Sequence, residues 1–403
     1  MNLLKITTCY PSYVKDLYCK HPGLEKKSFA EQKTVFDYDA FGWADYWSHA
    51  LTPLGYRVSE ISYNVPEMQR AWAKENSLPD PAGIDLKEIA LAQIRQFNPD
   101  VLWFDDTNAD LLKRIRDEVP SIKLVLGWVG SAIPRSDVWQ HIDLILSCSP
   151  ESVQCMKDNG FPAAHLHHGF ESRINERLID RPKRIDFSFI GQLVRGSHYH
   201  LHREKMLEAL AGSARIEIFS PSADYDWKHY LQACIKATNY ELRDALIKLG
   251  LSDALLKSLP VVKTAYKYDA RPLLPVNARL KPFIKPPVFG LDMYQVIRDS
   301  AMTLNIHADS SPLFASNMRL FETTGVGTCL ITDWKDNLPE LFEPDKEVVV
   351  YKNAEECLEK VRWLLDHAKE REEIAKAGQM RTLREHTFSR RAVILDEMIK
   401  TRI

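Results

Sequence analysis

Short apolar runs alternate with segments of helical period through the first 170 residues. Leu3 to Thr7, Arg57 to Tyr63, Val101 to Phe104, Leu124 to Val129 and Leu144 to Cys148 read as strands. Between them, Asp85 stands as an N-cap for a helix over Leu86 to Phe97, whose apolar positions are Ile89, Leu91, Ile94 and Phe97. Asn98-Pro99 stops that helix, because the residue before a proline is driven out of the helical region. Ser149-Pro150-Glu151 supplies cap, first-turn proline and first-turn acid for a further helix that closes at Asn159-Gly160. Strands and helices in strict alternation predict parallel strands joined by crossover helices.

The rhythm restarts after residue 170. Asp186 to Ile190, Ile216 to Phe219, Thr303 to His307, Thr328 to Thr332 and Val348 to Tyr351 are predicted strands. Helices are expected over Leu201 to Leu210, near Asn317 to Thr324, over Ala354 to Asp366, and as one tract from about residue 369 to the end. Residues 224–287 break the alternation, first helical and then rich in proline, and read as an insertion. The expected organisation is a Rossmann-like half over 1–170, a second over 171–385 and a terminal helix over 386–403 that could pack back on the first half. The polar segment His168 to Lys183 joins the halves. Two such sheets facing each other leave a cleft at the carboxyl ends of their strands, so chemistry is sought in the strand-to-helix turns.

Composition narrows the classes. Across 403 residues, 45% apolar and 27% charged is an ordinary globular balance, and a net charge of −2 offers no general attraction to nucleic acid. No signal peptide is read at the start and no apolar stretch approaches 18 residues, so a cytoplasmic protein without a membrane span is expected. The basic stretch from Arg173 to Arg184 leaves peripheral membrane contact open. Seven scattered cysteines without a CxxC pair read as reduced, buried thiols. No GxGxxG occurs, which argues against a dinucleotide-dependent dehydrogenase.

The richest segment is 303–333. A strand to His307 is followed by a polar loop and a helix expected from Ser316 or Asn317, whose free N–H groups suit a diphosphate. Arg319 offers a fork of donors to phosphate oxygens, and Glu322 one turn later could accept from a ribose diol; the competing reading is an ordinary i,i+3 ion pair. Phe187 to Arg195 is a second strand-to-glycine turn, where Gly191 permits close backbone approach, with Gln192 beside it and Arg195 set against charge. The histidine groups at 165–168 and 198–202 lack partners at zinc-site spacing, and His198 is read instead as lining a phosphate pocket. In the first half, His21, with Asp16, and Asp105 lie near strand ends; a carboxylate or imidazole there could serve as a base, although capping is the commoner role of such an Asp. The aromatics Phe41, Trp43, Tyr46 and Trp47 have the spacing of a packed helix.

The motifs Leu304-Asn305-Ile306-His307, Arg319-Leu320-Phe321-Glu322, Gly325 with Gly327, and Thr332-Asp333 resemble the signature of the CgeB-like branch of the group 1 glycosyltransferases, and the following Leu338 to Phe342 also fits. The resemblance covers the C-terminal ~120 residues. It implies the α/β GT-B fold, a nucleotide sugar on the second domain with Glu322 on the ribose, and a glycan, lipid-linked or protein acceptor on the first. Transfer would need no metal and no cofactor beyond the donor itself. Retaining relatives carry two glutamates with seven residues between them, and the earlier position here is Phe314. Two alternatives follow: a catalytically silent nucleotide-sugar or glycan-binding scaffold, or an epimerase on the same fold.

Overall fold

A computed structural model describes residues 1–130, 132–195 and 201–403, with Leu201 described by its backbone alone. Twelve strands are assigned among them: β1 Asn2–Thr7, β2 Arg57–Ser62, β3 Val101–Phe104, β4 Leu124–Val129, β5 Leu144–Ser147, β6 Ala163–His165, β7 Ile185–Ile190, β8 Ile216–Phe219, β9 Ile284–Lys285, β10 Ser300–Asn305, β11 Cys329–Asp333 and β12 Val349–Tyr351. They form two six-stranded sheets, ordered β2-β1-β3-β4-β5-β6 and β12-β11-β10-β7-β8-β9, with every pair parallel. Central strands such as β3 and β10 are buried at every position, because helices cover both faces of a parallel sheet, and β3 accordingly reads as an unbroken apolar run.

Local signals were mostly sufficient for these elements. Asp85 accepts from the Lys87 amide at 2.9 Å and the helix runs Leu86–Phe97, ending at Asn98 in the left-handed region. Ser149 caps Pro150–Asp158 through the Ser152 amide, and Ala354–Asp366 is helical as expected. Other readings are corrected. β10 ends at Asn305 rather than His307, because the Ile306 carbonyl accepts from the Arg203 and Asn317 side chains instead of a ladder amide. The final tract is two helices, Ala368–Glu385 and Phe388–Lys400. They break where Phe170 inserts between them, its N–H donating to the His386 carbonyl at 2.8 Å and its carbonyl accepting from Phe388 at 3.1 Å. The segment 224–287 holds a long helix, Trp227–Lys248, capped by Asp226, and two short ones, but its last residues rejoin the second sheet as β9. Cys148, Cys329 and Cys357 are buried free thiols; Cys19, Cys155 and Cys234 are free but exposed, contrary to expectation.

The two halves share a core. Trp47 and Trp103 from the first sheet's side, Phe170 from the connection, and Tyr294, Phe321 and Phe388 from the second half belong to one buried cluster. Tyr56 donates to Asp396 at 2.8 Å, tying the Phe388–Lys400 helix to the first half. Gly325 lies against the Phe170 ring so closely that a Cβ would overlap it. The basic Arg173 to Arg184 stretch is largely consumed by this junction: Arg173 pairs with Asp45 at 2.9 Å, Arg177 donates to the Tyr38 carbonyl, and Arg181 holds Asp299.

Candidate functional site

In the second sheet the strand order reverses between β7 and β10, and crossovers leaving in opposite directions open a crevice beyond their carboxyl ends. A cavity of about 650 Å³ fills it. Gly191 follows β7 there, and a Cβ on it would press on the Phe189 ring at 3.1 Å. Arg203 reaches in from the Leu201–Ala211 helix, donating to the Gln192 carbonyl at 3.1 Å and to the Ile306 carbonyl at 3.0 Å. Burial lowers its pKa to about 10, which leaves it cationic at neutral pH. From the opposite wall, the Asn317 amide donates to Asn305 at 2.8 Å. Arg319 faces Glu322 at 3.0 Å, and Tyr294 donates to the other oxygen of Glu322 at 3.4 Å. The rest of the wall is an apolar slot made by Phe219, Pro221, Pro287 and Val288.

Thr8, Tyr10, Gly42, His168 and Met318 border this cavity and also a smaller one of about 270 Å³ on the first sheet, so the two are continuous. The smaller cavity sits at the ends of β1 and β3, again where the strand order reverses. Lys5, buried within β1, lies 3.7 Å from Asp105 and 4.9 Å from the Trp43 ring centre. Asp105 also accepts from the Thr7 hydroxyl at 3.0 Å. Burial pushes the Glu60 carboxyl up to about 7 against the opposing pull of Lys5, and Ser48 donates to it through both amide and hydroxyl. His168 stands beside Trp43 and Trp128; burial, with Arg391 nearby, drops its pKa to about 3, so it is neutral.

Of the residues expected from sequence, Gly191, Gln192, Ser316, Asn317, Arg319 and Glu322 converge on the larger cavity. Arg319 and Glu322 satisfy both readings at once: they pair, and they line the cavity. Their helix is Arg319–Gly325, shorter than expected and without a side-chain cap. Arg195 is turned away, bound to Glu204 at 2.9 Å and to the Leu274 carbonyl, and Arg203 occupies the place intended for it. His307 is also outside that cavity. Its Nδ1 lies 2.6 Å from Asp333, and it borders a separate hollow with Trp334 and Lys335. Although burial opposes ionisation, His307 and Lys335 hold the Asp333 carboxyl down to about 2. His198 lies outside the described residues. His21 is not a cleft loop residue but the exposed end of the Pro11–Lys20 helix, and Asp16 within that helix pairs with Lys20; neither borders either cavity. Asp105 borders the smaller cavity, and the following helix is capped by Asn108 instead.

Sequence reading missed Glu151. Taken as a first-turn acid, it reaches from the first half to the 311–314 loop of the second, accepting from the Leu313 and Phe314 amides at 3.1 and 3.0 Å and from the Ser311 hydroxyl at 3.2 Å. Among the described residues no group of three His, Cys, Asp or Glu side chains is arranged to hold a metal ion, and no helix is long and apolar enough to cross a membrane.

Residues 255–397 match the family model described as Glycosyl transferase-like. No curated protein sequence matches the chain significantly. Among solved structures, the chain is similar to the Anabaena protein Alr3699/HepE in complex with UDP-glucose, with a TM-score of 0.54 at 11% identity over 100% of both chains. It is similar to an alpha-glucosyltransferase in complex with UDP-glucose and DNA containing an abasic site, with a TM-score of 0.55 at 11% identity over 100% of this chain and 99% of that one. A glycosyltransferase from Rickettsia africae gives 0.52 at 10% identity over 100% and 98%. The fold is GT-B.

Proposed function

We propose, from the premise of a GT-B chain whose residues 255–397 are glycosyl transferase-like, that this protein transfers a sugar from a nucleotide-sugar donor to an acceptor hydroxyl. The observation that carries the reading is the continuous pair of cavities at the two switch points, cationic and hydrogen-bonding on the second sheet, carboxylate-bearing on the first. The donor's base fits the apolar slot at Phe219 and Pro287, its ribose diol meets Glu322, and its diphosphate meets Arg203 and Arg319. The bond between the anomeric carbon and the diphosphate breaks while a bond to the acceptor oxygen forms. Negative charge grows on the departing diphosphate, where two guanidinium groups fixed before the reaction stabilise it without reorganisation. Asp105 takes the acceptor proton in this reading. The UDP-glucose on Alr3699/HepE makes that sugar nucleotide the first donor to test.

The test is thermal denaturation with UDP, GDP, dTDP, ADP and CMP on the wild type and on Glu322→Ala. One nucleotide should raise the melting temperature of the wild type and not of the variant. Turnover of the matching nucleotide sugar, reduced in Asp105→Asn, would then support transfer. Binding without turnover across an acceptor panel favours the silent scaffold, and a response to no nucleotide removes the donor reading.

A further inference from the structure

Glu60, Trp43 and His168 all border the smaller cavity on the first sheet. Ser48 donates twice to Oε1 of Glu60, but among the described residues nothing bonds its Oε2, the Trp43 indole Nε1 or the His168 Nδ1, and all three atoms are buried. Buried polar side chains are nearly always hydrogen-bonded, and a buried indole N–H usually finds a partner. Three open positions around one cavity mark a place where an occupant supplies the partners. Trp43 and Trp128 meet there edge to face, with centres 4.8 Å apart at 82°, and give the wall flat apolar surfaces. The two lysines of the wall are already engaged. Lys5 faces Asp105 at 3.7 Å, and Lys33 holds both Asp37 oxygens at 2.5 and 2.6 Å. Neither ammonium is left for an anionic ligand, and Glu60 adds a further carboxyl to the wall.

We infer that this cavity encloses the terminal ring of a neutral carbohydrate, and that this ring is the acceptor. A sugar hydroxyl both donates and accepts, so one ring can meet a carboxylate oxygen, an indole N–H and an imidazole nitrogen together. Its C–H faces lie against the tryptophan rings, the apolar part of a wall with few polar groups. A polyprenyl or acyl chain would leave all three atoms unpaired, and a seryl or tyrosyl side chain brings a single hydroxyl to them. At ~30 Å³ per water, the cavity's 270 Å³ holds about nine waters, room for one ring with its hydroxyls but not for a chain of rings. The cavity meets the larger one at Thr8 and Gly42, which sets one side of the enclosed ring toward the donor. Only the role of acceptor rests on the transfer reading; the chemistry of the occupant rests on the wall.

Saturation-transfer NMR on the full chain tests it. The probes are neutral methyl hexosides, pentosides and N-acetylhexosaminides, with methyl glucuronide, N-acetylserine methylamide and hexyl phosphate as the acidic, peptide and lipid alternatives. At least one neutral glycoside should take up saturation at its ring protons, and the three alternatives should not. Glu60→Gln keeps an acceptor for Ser48 but turns the open acceptor into a donor, and Trp43→Phe keeps a ring but removes the N–H. Each should weaken that glycoside about five- to ten-fold, with the melting temperature checking that the variant is folded. No saturation of any neutral glycoside, saturation of an alternative instead, or wild-type binding by both variants overturns the inference. Glycoside binding without a thermal response to any nucleotide supports the carbohydrate site and removes the donor reading. A nucleotide response without glycoside binding does the opposite.

Discussion

Arg195 lies five residues past the end of β7 and Arg203 in the first turn of the helix that follows, yet their partners separate them. Arg195 spends its guanidinium on the Glu204 carboxylate, whereas Arg203 donates to the Gln192 and Ile306 carbonyls in the cavity wall, with the Asp333 and Asp309 carboxylates favouring its charged form. Removing a fixed cationic donor from a developing diphosphate costs about 10²–10³ in kcat by analogy with oxyanion-hole donors. Arg203→Ala should therefore lower kcat by that order, while Arg195→Ala should leave it within a few-fold; steady-state rates on the two variants decide. Equal losses would mean that the cavity wall, not the charge of Arg203, matters. Sequence could not make this distinction, because it turns on which arginine the folded turn carries to the cavity wall. Arg203 lay in the first turn of a correctly predicted helix, and that placement was the signal available.

At the scale of elements, the alternation of strand and helix was legible because parallel strands covered on both faces must be continuously apolar, as Val101–Phe104 and Leu144–Ser147 are. Helices that bury little were not legible: Phe29–Asp39 buries only Gln32 and Phe36, too few to print a period. Nor were contacts between elements, of which Glu151 is the clearest case. Its helix was predicted, cap and proline included, but nothing local says that the carboxylate spans the cleft to the 311–314 loop. An acid from the first half thus holds two amides of that loop, Leu313 and Phe314. Charge-assisted hydrogen bonds contribute about 1.5–3 kcal/mol each. Glu151→Ala should then speed amide hydrogen exchange at Leu313 and Phe314 by about 10–100-fold without changing exchange in β10. Unchanged exchange at both amides would mean the loop is ordered by its own packing.

The whole molecule depends on a junction that carries neutral histidines. His386 accepts from Arg391 at Nδ1 (2.9 Å) and donates from Nε2 to the Leu341 carbonyl, so a second proton would have to sit against a guanidinium. Arg391 also donates to the His168 carbonyl at 2.9 Å, linking the Phe388–Lys400 helix to the connection between halves. Burial lowers His386 to about 4 and His168 to about 3, against about 6.5 in an unfolded chain. Between those limits these two sites bind more protons in the unfolded chain than in the folded one, so the stability they contribute is complete above about pH 6.5 and is lost as the pH drops. Each histidine contributes a slope of about 1.4 kcal/mol per pH unit, and together they should cost about 4 kcal/mol between pH 7 and 5. Asp333, held to about 2, stays ionised throughout and does not contribute in this window. His386→Gln preserves an acceptor for Arg391 and a donor for Leu341 but cannot titrate. It should therefore lose about 2 kcal/mol less stability than the wild type between pH 7 and 5, read from denaturation midpoints. If the variant and the wild type lose stability in parallel, acid sensitivity lies elsewhere and the junction histidines are not what opens the two halves.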